Sequence, residues 1–210
     1  MLPAPAVIRE PPLVAPFFIT FNIKSILSQY LHYIAILAPE PVASEVTSFK
    51  EEIALRYNSR AALKNMPHIT LKAPFIIDAQ HYRKLLQWFE DLRVETPKFT
   101  LQLNGFGSFP NPKKPVIYVK PEPSPNLHRL QKEIIGFFRA DNFPALDSTD
   151  KRFHPHMTIA YRDLSFPYYE QAWADYAAKQ YNAAFEVNEV VLLQHNGRQW
   201  NPVCRCLLPG

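Results

Sequence analysis

From Leu31 onward the chain switches repeatedly between an apolar period of two and one near 3.6, and the switches mark out its elements. "LHYIAILAP" is a short, mostly apolar strand, and "EPVASEVTSFKEEIALRY" places Val42, Val46, Phe49, Ile53 and Leu55 at helical spacing. A strand "HITLKAPF" follows, then an amphipathic helix with Tyr82, Leu85, Leu86 and Phe89 on one face. Next comes the alternating strand "KFTLQLNGFGSFP", which Gly105 and Gly107 are expected to break, and then "VIYVKPEP". These elements read as one lobe.

The second half repeats the grammar. Ser124 and Pro125 open a helix whose apolar face runs through Leu127, Leu130, Ile134 and Phe138. A strand "FHPHMTIAYR", a helix "YYEQAWADYAAKQY" after Pro167, and two strands, "FEVNEVVLLQHN" and "WNPVCRCLL", joined across Asn196-Gly197, complete it. The pattern predicts an α+β chain of two related lobes. Residues 30–208 form a single bilobal domain, and residues 1–29 an arm whose five prolines (Pro3, Pro5, Pro11, Pro12 and Pro16) forbid a continuous helix.

Chemistry enters through a phrase that occurs twice. "NMPHITLKAPF" and "KRFHPHMTIAYRDL" both contain Pro-His-x-Thr followed by an apolar residue, with the two second-position histidines, His68 and His156, 88 residues apart. On a strand His68, Thr70 and Lys72 share one face, and His156, Thr158 and Arg162 share another. A lone His-x-Thr is more often a satisfied, half-buried histidine; two copies at matching places favour one shared cleft. Two imidazoles that titrate near neutrality supply a base and an acid for in-line attack on a phosphodiester, and the threonine hydroxyls donate to its non-bridging oxygens. Lys72, Arg152 and Arg162 are candidate charge partners, and Tyr33, Phe75 and Phe109 are candidates for stacking on a base.

Charge and cysteine content narrow this only slightly. With 23 Lys and Arg against 19 Asp and Glu, the net charge of +4 permits an anionic ligand such as a phosphate or an RNA end. The two cysteines, Cys204 and Cys206, lie two apart, a poor separation for a disulfide, so reduced thiols in a cytoplasmic protein are expected. The apolar run "LVAPFFITFNI" is too short and broken to span a membrane, and no signal peptide is evident. His154 and His156 have metal-ligand spacing, yet Asp150 and Asp163 stand at no recognisable ligand spacing, so no metal and no cofactor are expected.

"PHITLKAPF" and "FHPHMTIAYRDL" resemble the paired His-x-Thr/Ser-apolar signatures of the 2H phosphoesterase superfamily, in the bacterial branch labelled RNA 2'-5' ligase or RNA 2',3'-cyclic phosphodiesterase. The resemblance runs from Tyr30 to about Leu208 and takes in "LHYIAILAP" and "LNGFGSFP". It implies a bilobal α+β fold, with two pseudo-twofold-related lobes of antiparallel sheet, outer helices and both motifs facing a central cleft. It also implies metal-free hydrolysis of 2',3'-cyclic phosphate ends to 2'-phosphates, with reversible 2'-5' ligation in some members, on His68, Thr70, His156 and Thr158. The expected partners are RNA 3' ends or cyclic nucleotides, with a monomer favoured. The rival readings are a phosphate-binding module without turnover and a metal-dependent hydrolase built on His154 and His156.

Overall fold

The computed structural model describes residues 29–141, 143 and 148–210; all but the last residue of the proline-rich arm lies outside them. Eight strands run in order: β1 (Gln29–Leu37), β2 (His68–Asp78), β3 (Phe99–Phe109), β4 (Val116–Pro121), β5 (Met157–Ala160), β6 (Asn182–Val187), β7 (Glu189–His195) and β8 (Trp200–Leu207). The helices are α1 (Val42–Arg56), α2 (Tyr82–Glu90), α3 (Pro125–Ala140), the one-turn α4 (Ser148–Lys151) and α5 (Phe166–Tyr176), with a 3-10 turn at Ala61–Lys64. The strands form two antiparallel four-stranded sheets, ordered β2-β1-β7-β8 and β5-β4-β3-β6. Edge strand β2 of one sheet and edge strand β5 of the other lie against each other. A pseudo-twofold therefore relates β2 to β5, each paired with an inner strand, β1 or β4, that precedes it across a helix.

The lobes are not contiguous halves of the chain. Strands β3 and β4, which the sequence groups with the first lobe, belong to the second sheet, and β7 and β8 return to the first. "FEVNEVVLLQHN" is likewise not one strand. It is divided at Asn188 into β6, paired with β3, and β7, paired with β1. Phe185 and Val187 share one parity and Val190 and Leu192 the other, so the alternation slips at Asn188-Glu189; both pieces pack into the same core, and the slip alone does not reveal a change of sheet.

Local signals explain most of the elements. Ser124 caps α3, its hydroxyl accepting from Leu127 N at 3.2 Å with Pro125 in the first turn, and Leu127, Leu130, Ile134 and Phe138 are buried as the period requires. On α1 the stripe is Val42, Val46, Lys50, Ile53 and Ala54. Leu55 is 84% exposed, and Lys50 sits in the stripe instead. β3 is not broken at its glycines. Gly105 adopts φ 64 at a register shift, and Gly107 lies opposite Tyr118, where a Cβ would stand 2.4 Å from the tyrosine ring. Among the described residues no helix is long and apolar enough to cross a membrane.

Candidate active site

Each Pro-His-x-Thr phrase lies on an edge strand or at its entrance. His68 and Thr70 open β2, while His156 immediately precedes β5, which begins only at Met157, with Thr158 inside it. All four side chains are half-buried. Thr70 and His156 line one cleft of about 280 Å³, together with Phe109, Arg152 and His154. Thr70 of one wall and His156 of the other meet there, while His68 and Thr158 are not among the residues that line it.

The two imidazoles are held in the same way. His68 Nδ1 lies 2.7 Å from Met66 O, and His156 Nδ1 lies 2.7 Å from His154 O. A carbonyl accepts only, so Nδ1 carries the hydrogen in both rings, and neither Nε2 is held by a described residue. Each ring also rests against a tyrosine from the neighbouring inner strand: Tyr33 of β1 at 5.0 Å from His68, and Tyr118 of β4 at 5.4 Å from His156. Phe109 closes the second wall, 5.2 Å from His156 and 4.8 Å from Tyr118.

Burial lowers the basicity of both histidines. It pushes His68 down to about 4, against the carbonyl of Met66, with Lys50 and His156 adding to the fall. His156 is also lowered, chiefly by burial, with its bond to the His154 carbonyl opposing the shift. Lys50 is itself buried, its ammonium pushed down to about 8 by desolvation, and it donates to Asn65 O at 2.8 Å.

Other residues singled out by their sequence lie elsewhere. Lys72 does not share the His68 and Thr70 face. Register shifts beside it, where β2 pairs with β1, turn its side chain inward to an ion pair with Asp150, 2.9 Å apart and each 1% exposed. Its ammonium stands over the rings of Phe75 and Phe138 at 5.2 and 5.0 Å, and Phe75 is a core residue. Tyr33 is 3% exposed, its ring occupied by His68 and, at 4.4 Å, by Trp200, so it offers no open face to a base. Its buried hydroxyl has no hydrogen-bond partner among the described residues. Arg162 lies beyond β5 at φ 60, over the Tyr161 ring, so it does not continue the His156 and Thr158 face.

The two nearby carboxylates are committed to holding the lobes together. Asp150 receives Lys72 and Ala73 N. Asp163 accepts from Ser59 Oγ at 2.8 Å and from the backbone of Arg60 and Ala61, fixing the turn that leads into His68. His154 is paired with Tyr118, its Nε2 lying 3.2 Å from the phenol oxygen. Sequence reasoning had not singled out Tyr118, Trp200 or Lys50. Tyr118 could have been suspected from the glycine that faces it across the β3–β4 pair.

A family model described as the 2'-5' RNA ligase superfamily matches residues 38–199. A protein of Geobacillus sp. (strain WCH70), provisionally named a phosphoesterase, is 34% identical over 122 residues, which is 58% of this chain and 65% of that protein. A protein of the same provisional name from Geobacillus kaustophilus (strain HTA426) is 33% identical over 132 residues, 62% of this chain and 68% of the other. The match thus spans about two thirds of the length of these curated relatives. The fold is similar to that of TT0787 from Thermus thermophilus, with TM-score 0.60, 18% identity and coverage of 86% of this chain and 98% of that one. It is equally similar to LigT of E. coli, with TM-score 0.60, 21% identity and coverage of 87% and 99%. LigT has also been solved in complex with 3'-AMP, with TM-score 0.53, 19% identity and coverage of 86% and 99%.

Proposed function

The chain belongs to the 2'-5' RNA ligase superfamily, and from that premise we propose that it opens 2',3'-cyclic phosphate ends of RNA or small nucleotides to 2'-phosphates by metal-independent acid-base catalysis. The observation that carries the reading is the paired arrangement of His68 and His156. Both rings have Nδ1 tied to the carbonyl two residues earlier, and both have Nε2 free for proton transfer.

His68 is the base. Its lower proton affinity keeps it neutral over a wider range, and its Nε2 takes a proton from water as the oxygen attacks phosphorus. His156, the less strongly desolvated of the pair, is the acid. Its Nε2–H protonates the ribose 3'-oxygen as the P–O3' bond breaks, leaving a 2'-phosphate and a 3'-hydroxyl. Thr70 and Thr158 donate to the non-bridging oxygens, and Arg152 at the cleft wall offsets their charge. If a 5'-hydroxyl replaces water, the same proton transfers give a 2'-5' linkage. That LigT, a protein of similar fold, has been solved with 3'-AMP supports a nucleotide as the class of ligand.

A binding module would have no use for two titratable rings with matched tautomers. The decisive experiment is incubation with a 2',3'-cyclic mononucleotide, with and without chelator, and identification of the product by phosphorus NMR. Chelator-insensitive formation of the 2'-phosphate is expected. A 3'-phosphate product, loss of turnover with chelator, or binding without turnover would overturn the reading.

A further inference from the structure

The cleft does not end at His156. Asp150, Arg152, Phe153 and His154 also border a second groove of about 670 Å³, which continues along α3. Its wall is cationic. Lys132 and Arg139 follow His128 along α3 at near-helical spacing and supply positive charge, and Lys151 and Arg152 face them from the α4 side.

Among the described residues no carboxylate pairs with Lys132, Arg139, Lys151 or Arg152. Arg56, Lys72, Arg129, Lys179 and Arg205 all pair with carboxylates. The side chains of Lys132, Arg139, Lys151 and Arg152 are exposed and make no ion pair or hydrogen bond with a described residue. The carboxylate bordering this groove is Asp150, already neutralised by buried Lys72. Four clustered like charges repel one another, so the arrangement costs the free protein stability unless an anion answers it.

A second, independent observation lies on the same stripe. Gly136 sits between Lys132 and Arg139, inside α3, where an added Cβ would meet nothing within 4 Å. Glycine there weakens the helix relative to alanine, and no packing against a described residue requires it. A bare backbone between two unpaired cations leaves room for something outside the chain to approach.

We infer that this groove is a subsite for the sugar-phosphate backbone of an RNA strand whose cyclic end lies in the catalytic cleft. The inference rests on the reading of that cleft given above, and it selects among its substrates: the groove suits an oligonucleotide, whereas a mononucleotide would leave it empty. From His128 to Arg139 the stripe is about 16 Å long at the helical rise, room for several stacked nucleotides at about 3.4 Å each. Lys132, Arg139, Lys151 and Arg152 meet the phosphates as charge contacts with no base preference, so the subsite reads length and charge rather than sequence.

The test compares a 2',3'-cyclic mononucleotide with an eight-nucleotide RNA carrying the same end, using the intact protein, the double variant Lys132→Gln/Arg139→Gln, and Gly136→Glu. The double variant should raise KM for the oligonucleotide about tenfold and leave both constants for the mononucleotide unchanged. The slope of log KM against log salt for the oligonucleotide should fall by about 1.4, at about 0.7 for each single-strand phosphate that no longer meets a cation. Gly136→Glu should act in the same sense, while Gly136→Ala keeps the fold and raises the unfolding temperature. Equal effects on both substrates, or none on the oligonucleotide, would overturn the subsite. Fluorescence anisotropy with a labelled octanucleotide separates the two readings. If neither substrate is turned over but the double variant weakens octanucleotide binding, the catalytic reading fails and the groove stands; unchanged binding removes the groove.

Discussion

Lys72 Nζ lies 2.9 Å from Asp150 Oδ2, both side chains 1% exposed, and the contact joins the strand that carries His68 to the helical turn that leads into His156. Asp163, just past β5, holds the turn before His68 in the reciprocal sense. Each motif is thus anchored by a residue that flanks the other, through one buried ion pair and one set of more exposed hydrogen bonds at Asp163.

Breaking one side of that pair leaves a buried charge uncompensated, at a cost of about 3–5 kcal/mol. Lys72→Met and Asp150→Asn should each lose stability on that scale in urea denaturation. The double variant should recover more than half of the loss, since the side-chain amide oxygen that Asp150→Asn leaves in place still accepts from Ala73 N. Two single variants of wild-type stability would show that the pair does not clamp the lobes.

His68→Ala and His156→Ala should each lower kcat by about 10²–10⁴-fold, the usual worth of one proton-transfer role. Thr70→Val and Thr158→Val should cost about 10²–10³-fold, as for the loss of one oxyanion donor. Circular dichroism and melting temperature should stay close to wild type in all four. A histidine variant with near-full kcat would remove that ring from the mechanism.

The pH profile follows from the depressed imidazoles. Catalysis needs His68 neutral and His156 protonated, so kcat/KM should be a bell whose acid limb lies at about 4 and whose alkaline limb lies below the ordinary histidine value of 6.5. A bound phosphodiester anion favours the imidazolium, so the alkaline limb of kcat should lie above that of kcat/KM. Lys50→Met removes a cation that lowers His68 and should move the acid limb upward. Stability has the same sign: the unfolded histidines take up protons first, so ΔG of unfolding should fall as pH drops from about 6.5 toward about 4. A rate rising steadily to about pH 9 would contradict the assignment of acid and base.

Gly107→Ala tests the wall behind His156. The new methyl would stand 2.4 Å from the Tyr118 ring, which packs on His154, His156 and Phe109, so the ring must shift. We expect kcat to fall more than about tenfold, with KM for a mononucleotide changed less. Pairing with Tyr118→Phe should leave the loss in place, because the clash involves ring carbons as well as the hydroxyl. Wild-type kcat in Gly107→Ala would mean that Tyr118 does not position His156.

The sequence made the two His-x-Thr phrases and most of the helices legible, because their side-chain periods are local properties. It misplaced Lys72 because the register shifts beside it reverse the alternation only once β1 is paired alongside. It misplaced Arg162 because the chain turns into the left-handed region just past Ala160. Tyr33 and Phe75 were legible as aromatic residues but not as buried ones, since their neighbours, Trp200 and Phe138, come from distant parts of the chain. The exchange of strands between the sheets shows in the sequence only as a slip of the apolar alternation at Asn188-Glu189, which a bulge within one strand would also produce.

That exchange has a consequence for the order in which the protein can be made. As the chain leaves the ribosome, β1 and β2 emerge early, but β7, which pairs with the inner edge of β1, follows only after the whole second sheet. Until then β1 has an open row of backbone donors and acceptors, the kind of edge that recruits other strands. The wall that holds His68 is therefore begun first and closed last, and the nascent protein is most exposed to mispairing while its second motif is already complete.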